Sequence, residues 1–456
     1  MMDAIYTLVD FLDGIDFDDL SDEVVDRTKR FILDTLGVAV AGTSAPGCRE
    51  TLGVYSNWGG REEATVWLFG RRLPVPAAGL LNSLLVHARD FDDTFDESAL
   101  HALATTLPPA LVLGEREKVS GRDLITAVVS GVEVVVRLGL AIQRPLSWIR
   151  TATCGGFGAV AAAGKVLKLS KKEMLNAFGV MYSKTSGNAQ CLLDGGLSKR
   201  LQPGFAVGDA LQAVALAESG INGAKEVLEG AYGFFNLYEH GDYERERLIE
   251  KADGHFHILD LSFKPYPSCR MTHATIQAIL KLRDEYHLKP EEVESIHVTV
   301  SSMVKEMVGG DFVVRDNPQV DAQFSIPYTV AVALNKGDVF IEDFEEEVIR
   351  RRSEDWKPLI DRVAVEATDS LTPKDMKHSS VKIVLRDGRT YEAEEEALIG
   401  SPNLDMPWEM CVEKFRKCVS FSAKPLKDIA VNHLLDTIEN LESLEDVSLL
   451  VKDLVV

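Results

Sequence analysis

The chain has 456 residues, 46% of them hydrophobic and 26% charged, with a formal net charge of −22 at pH 7. That length and apolar content suffice for two domains, each with its own core. The acidic balance disfavours nucleic acid and anionic membrane as partners, because both are bound through basic surface that displaces counterions. It does not exclude a small anionic substrate, since a few converging cations make a locally positive pocket.

The longest apolar stretches, 80–86 and 159–163, fall short of the roughly 20 residues that span a bilayer, so no membrane span is expected. The N-terminus opens on an amphipathic segment containing Asp3, Asp10 and Asp13. It has no basic region followed by an apolar core, which predicts a cytoplasmic protein. Six cysteines (Cys48, Cys154, Cys191, Cys269, Cys411 and Cys418) are scattered without a CxxC pair. This argues against a disulfide framework and a zinc site, and most of them read as buried thiols.

Along the chain, Ser21-Asp22-Glu23-Val24 opens like a helix, with Ser21 as N-cap and acids in the first turn. Val25, Thr28, Ile32 and Thr35 then repeat at helical spacing. The same periodicity predicts helices over 77–87, 121–140, 155–167, 171–182 and 208–218, rich enough in Ala and Gly to pack closely. Near Pro265 the texture changes. After a helix over 272–286, Ile296, Val298 and Val300 alternate with polar residues, and Val381, Ile383 and Leu385 do so again before Asp387-Gly388 and Thr390-Tyr391, a strong hairpin signal. Beyond Gly400 the pattern is helical once more, with Met410, Phe415, Val419, Ile429, Leu434, Ile438 and Leu441 at roughly helical spacing. The expected fold is mainly α: a large helical domain from residues 1–264, a smaller α+β lid domain over 265–395, and C-terminal helices over 396–456 that return to the helical domain.

The densest chemical signal is His87-Ala88-Arg89-Asp90-Phe91-Asp92-Asp93-Thr94-Phe95-Asp96-Glu97, followed by His101. A DDxxD pattern over 92–96 suggests a helical terpenoid enzyme that holds a magnesium diphosphate. No second metal-binding segment follows, however, and aromatics make up only 7% of the chain. A solvated acidic loop is the plainest alternative. A third reading is an active-site turn in which a carboxylate orients a substrate hydroxyl or a histidine, and His101 works as acid or base near neutral pH.

The stretch Asp90-Phe91-Asp92-Asp93-Thr94 with His101 resembles the signature of the MmgE/PrpD family. Four more segments fit in order: the small-residue turn 151–159, the lysine segment 198–204, Lys264-Pro265-Tyr266-Pro267-Ser268-Cys269-Arg270 with His273, and 324–328. The similarity runs from about residue 5 to residue 415. The resemblance implies a sequence-split helical domain, a lid, a homodimer, no metal or organic cofactor, and acid/base chemistry on a di- or tricarboxylate.

Carried over, it places Asp90, Thr94, His101, Lys199, Lys264, His273 and Tyr328 around the active site, with Arg270 and Cys269 nearby. Lys199, Lys264 and Arg270 would hold carboxylates, and His101 and His273 would trade protons. Asp90 would orient a histidine or act as base, and Tyr328 would offer a hydroxyl. Thr151, Thr153 and Gly155 sit where a helix begins, which either presents amide donors to an anion or serves close packing.

Two departures stand out. Where several members carry a histidine two residues before the Thr-x-Thr, this chain has Ile149, and His101-Ala102-Leu103 replaces the usual His-Pro-Ser or His-Pro-Gly. The decarboxylase members use that histidine, so the resemblance implies dehydration first, of the 2-methylcitrate dehydratase type, then epimerisation, then decarboxylation. A non-catalytic polycarboxylate-binding protein is the alternative from another class.

Overall fold

A computed structural model describes residues 2–250, 254–372 and 375–455. At the centre of the larger core lies the helix Gly155–Val166, apolar on nearly every face and buried from Gly155 to Gly164. Such a helix needs neighbours on all sides. They are Gly121–Ala141, Leu103–Glu117, Lys171–Tyr182 and Ser198–Glu218. The small residues allow this closeness: a Cβ on Gly158 would stand 2.0 Å from a Val135 methyl and 2.8 Å from the Gly131 carbonyl oxygen. Ser21 caps Asp22–Gly42 by accepting the Val24 amide at 3.3 Å, as its position predicts.

Two helices differ from expectation, both because of proline. Leu103–Glu117 carries Pro108 and Pro109, which hide its periodicity. Pro108 lacks the N–H that would reach Ala104, and the Ser83 hydroxyl donates to that carbonyl instead, at 2.6 Å. The expected 208–218 helix begins ten residues earlier, at Ser198, and runs through Pro203. That extension puts Lys199 in its first turn. A third difference concerns Gly121–Ala141, which is long and apolar enough to cross a membrane by length and composition alone. Its apolar window is 94% buried inside the fold, so the packed neighbours already cover it.

The larger core draws on residues from Ala4 to Phe263 and again from Met406 to Leu454; a second core runs from Tyr266 to Leu385. A small hairpin, β1 (Ala64–Val66) and β2 (Arg71–Leu73), edges the first. The second is built on a four-stranded sheet of β3 (Val293–Val300), β4 (Val363–Ala367), β5 (Ser379–Leu385) and β6 (Thr390–Glu395), in the order β4-β3-β5-β6. The alternation in β3 buries Ile296, Val298 and Val300 and exposes His297. The β5–β6 hairpin turns at Asp387-Gly388, with Gly388 in the left-handed region at φ 86°. β4 gives almost no sequence signal, because only Val365 of its five residues is buried.

The C-terminal helix Trp408–Val419 returns to pack on Asp22–Gly42, where the Phe415 ring sits against Gly37. Leu434, Ile438 and Leu441 are buried as the pattern requires. Met410 and Ile429 do not belong to that face; they are 37% and 77% exposed.

Candidate active site

The acidic stretch follows the helix Val75–His87 and is neither solvated nor arranged for a metal diphosphate. All four of its aspartates are buried, and each has a separate assignment. Asp90 adopts a left-handed backbone conformation at φ 52°, unusual for a residue with a side chain. Its carboxylate meets Lys199 Nζ at 2.5 Å and Lys264 Nζ at 3.5 Å, and its carbonyl accepts from Lys264 at 2.9 Å. Asp92 accepts from His87 Nδ1 at 2.8 Å and stands 3.6 Å from His101 Nδ1. Asp93 accepts the amides of Ala102 and Leu103 at 2.9 and 3.0 Å, which satisfies free N–H groups at the start of Leu103–Glu117. Asp96 pairs with Arg270 at 3.2 Å and accepts from the Ser262 hydroxyl.

His101 Nδ1 lies 2.6 Å from the Asp93 carbonyl oxygen. A carbonyl only accepts, so Nδ1 carries the proton and Nε2 of the neutral ring keeps its lone pair. The His101 amide donates to Thr151 Oγ1 at 3.1 Å. Burial pushes the imidazole down to about 3, with Lys264, His87 and Lys199 acting in the same direction and Asp92 against them. The opposite holds for Asp90: burial pushes it up, but Lys199 and Lys264 outweigh that and hold it well below the usual carboxylate range. His87, ring to ring with His101 at 4.8 Å, is lowered by burial despite Asp92.

These groups open on a cleft of ≈ 80 Å³. His87, Asp90, Thr94, His101, Arg150, Thr151, Lys199, Lys264, Cys269 and Arg270 line it, and Met271, Met307, Phe324 and Met376 contribute apolar wall from the second core, joined by Ile149. Among the described residues, His87 Nε2, Asp90 Oδ2 and Asp92 Oδ1 are buried without a hydrogen-bond partner. Buried polar groups normally have one, and two of these atoms belong to His87 and Asp90, which line the cleft and leave it suited to a polar ligand.

The structure thus brings together Asp90, Thr94, His101, Thr151, Lys199, Lys264 and Arg270. It leaves three expected residues outside the cleft lining. Tyr328 donates to the Asp343 carbonyl at 2.5 Å and packs between Phe312 and Phe344 in the second core, so its hydroxyl is already committed. His273 is buried behind Arg270, donating from Nε2 to the Ser268 carbonyl at 3.2 Å and facing Arg270 Nη1 through Nδ1 at 3.4 Å. Burial, then Arg270 and Lys264, hold it well below the ordinary histidine range. Thr153 is buried in its own helical turn, and a Cβ on Gly155 would strike Thr105 at 2.7 Å. The glycine therefore serves close packing rather than anion binding.

His87, Asp92 and Arg150 were not among the expected site residues. His87 and Asp92 lie inside the quoted motif, five residues apart. Arg150 follows Ile149 and gives no signal in sequence.

His87, Asp90 and His101 offer ligand atoms within 4.8 Å of one another, the spacing a metal ion needs. Two ammonium groups within 3.5 Å of Asp90 oppose a divalent cation there, and the same charges favour an organic anion.

The MmgE/PrpD N-terminal domain matches residues 6–246 and the MmgE/PrpD C-terminal domain residues 266–436. Cis-aconitate decarboxylase of Mus musculus is 29% identical over 456 residues, covering 96% of this chain and 91% of its own length. The Homo sapiens enzyme of that name is 29% identical with the same coverage, and that of Aspergillus terreus is 26% identical over 94% of this chain and 91% of its own. With both domain profiles matched in order over most of its length, the chain belongs to the MmgE/PrpD family.

Proposed function

We propose that the protein is a cofactor-independent lyase acting on a small tricarboxylate, with decarboxylation of a cis-aconitate-like acid as its reaction. The observation that carries the reading is His101, whose ring lines the same cleft as Lys199 and Lys264. The names of the relatives support decarboxylation over the dehydration that the sequence motifs suggest first.

Lys199 and Lys264 bind substrate carboxylates, and Arg270, braced by Asp96 and His273, adds a further cation. The apolar wall keeps water from the leaving carboxylate. His101 Nε2 gives a proton to the alkene CH carbon, the one not bonded to the CH2–carboxylate arm. The double bond moves over, and the C–C bond to the departing carboxylate breaks to release CO2. This requires His101 as imidazolium. A bound polyanion supplies the charge that raises it from its depressed value.

Ile149 favours a second reading. It lines the cleft with an apolar side chain, at the position where the family resemblance puts a histidine in several members. With His101 neutral and its Nε2 lone pair available, removal of a carbon proton and loss of water from a hydroxy tricarboxylate is the alternative reaction. Incubation in heavy water with cis-aconitate, citrate, 2-methylcitrate and iminodisuccinate, in the presence of chelator and followed by NMR, separates the two. Release of CO2 with one deuteron in the product from cis-aconitate is expected. Water loss from 2-methylcitrate with cis-aconitate inert would replace decarboxylation by dehydration, and no conversion of any acid would overturn the enzyme reading.

A further inference from the structure

Away from the cleft, a second group of side chains converges where the first core ends. His255, His257 and Asp260 offer ligand atoms all within 4.8 Å of one another. Asp260 Oδ2 lies 2.7 Å from His257 Nδ1, and His255 Nε2 lies 3.0 Å from both Asp260 oxygens. Phe256 between the two histidines is extended and buried at 5% exposure, which turns both imidazoles outward to one side. The support is rigid. The His257 amide donates to the Glu133 carboxylate at 2.5 Å, Glu133 pairs with Arg137 at 3.0 Å, and both side chains are buried in the helix Gly121–Ala141. Ile258 is fully buried on the other side.

We propose that His255, His257 and Asp260 bind a first-row divalent transition cation of the zinc class, through two imidazole nitrogens and one carboxylate, with the remaining position open to solvent. Ligand atoms held at about 2.0–2.1 Å around a tetrahedral cation stand about 3.3 Å apart. The separations of 2.7 and 3.0 Å here are about 0.6 and 0.3 Å shorter than that tetrahedral spacing, and the two imidazole nitrogens lie within 4.8 Å of each other. Two nitrogens with one oxygen suit zinc, nickel or copper rather than magnesium or calcium. No proton has to leave a neutral ring; its single proton moves to the nitrogen away from the cation. The chain's net charge of −22 adds a favourable field for cations.

The site has a structural consequence for the cleft. Two residues after Asp260, Ser262 pairs through its backbone with Thr94 at 2.9 and 2.7 Å, and Lys264 follows at once. A cation at Asp260 fixes the start of the segment that delivers Lys264 to Asp90.

The test uses the full chain, stripped with chelator and titrated with ZnCl2 by calorimetry, alongside His255→Ala, His257→Ala and the control His378→Ala. The control removes the histidine of a separate group formed with Glu394 and Glu396. One site is expected in the wild type and the control, weakened at least about tenfold in each of the other two variants, since even a partner that only supports a ligand costs about 10–100-fold when lost. Cobalt should give ligand-field absorption in the wild type that disappears when His255→Ala and His257→Ala are combined. Equal zinc affinity in all four proteins, or no saturable zinc binding in the wild type, would overturn the proposal. Melting curves of the stripped variants that match the wild type exclude unfolding as the cause of any loss, because both histidines have solvent access.

Discussion

Replacing His101 by glutamine should flatten the acid limb of the protein's stability, and the structure gives the size of the effect. A histidine in an unfolded chain titrates near 6.5. In the folded protein, burial and the neighbouring cations keep His101 neutral down to about 3. Between these values the unfolded chain takes up a proton that the folded one refuses. The folded state is therefore at no disadvantage above pH 6.5 and loses stability as pH falls toward 3. At pH 4.5, two units below the unfolded value, the loss is about 2 to 3 kcal/mol at 1.36 kcal/mol per unit. The side chain is 14% exposed, which makes this an upper value. Urea unfolding followed by tryptophan fluorescence at pH 7.5, 6.0, 5.0 and 4.5 measures it. The wild type should lose up to that much more than His101→Gln over the interval, while His273, which does not touch His101, contributes to both proteins alike. Parallel curves would refute the assignment of His101 as a buried histidine that stays neutral in the free protein.

Lys199→Met should raise KM for the tricarboxylate by tenfold or more, since a charge-assisted bond to a carboxylate contributes about 1.5–3 kcal/mol, and steady-state kinetics read it. Asp93→Ala should lower unfolding stability by about 1–2 kcal/mol through loss of the two amide bonds at the start of Leu103–Glu117, as urea titration would register. Tyr328→Phe should leave turnover unchanged and lower stability by about 1 kcal/mol, the net worth of its bond to Asp343. A hundredfold fall in kcat for that variant would return the hydroxyl to the active site.

The helical scaffold was legible where apolar residues keep a 3.6-residue period, as in 121–141 and 155–166, because burial on one or all faces enforces that spacing. It was hidden in Leu103–Glu117, where Pro108 breaks a bond that only the distant Ser83 replaces. In β4 a single buried valine leaves no alternation to read. At the site, the cations and carboxylates of the ordered motifs converge as the resemblance implies. Whether a tyrosine hydroxyl or a histidine nitrogen is free depends on its partner in three dimensions: the Asp343 carbonyl that Tyr328 meets lies 15 residues away in sequence, and Arg270, although quoted beside His273, does not reveal from sequence that its guanidinium faces Nδ1. His87 and Asp92 were quoted in the motif, yet only the 2.8 Å contact between them reveals the pair.

The central claim is that His101 moves the proton while Lys199 and Lys264 hold the carboxylates. Single-turnover conversion of cis-aconitate by His101→Gln, with substrate affinity measured in parallel, tests it most directly. The account predicts a rate lower by about 10²–10⁴-fold with affinity little changed. A rate within a few fold of the wild type would contradict it and transfer the proton to another group lining the cleft.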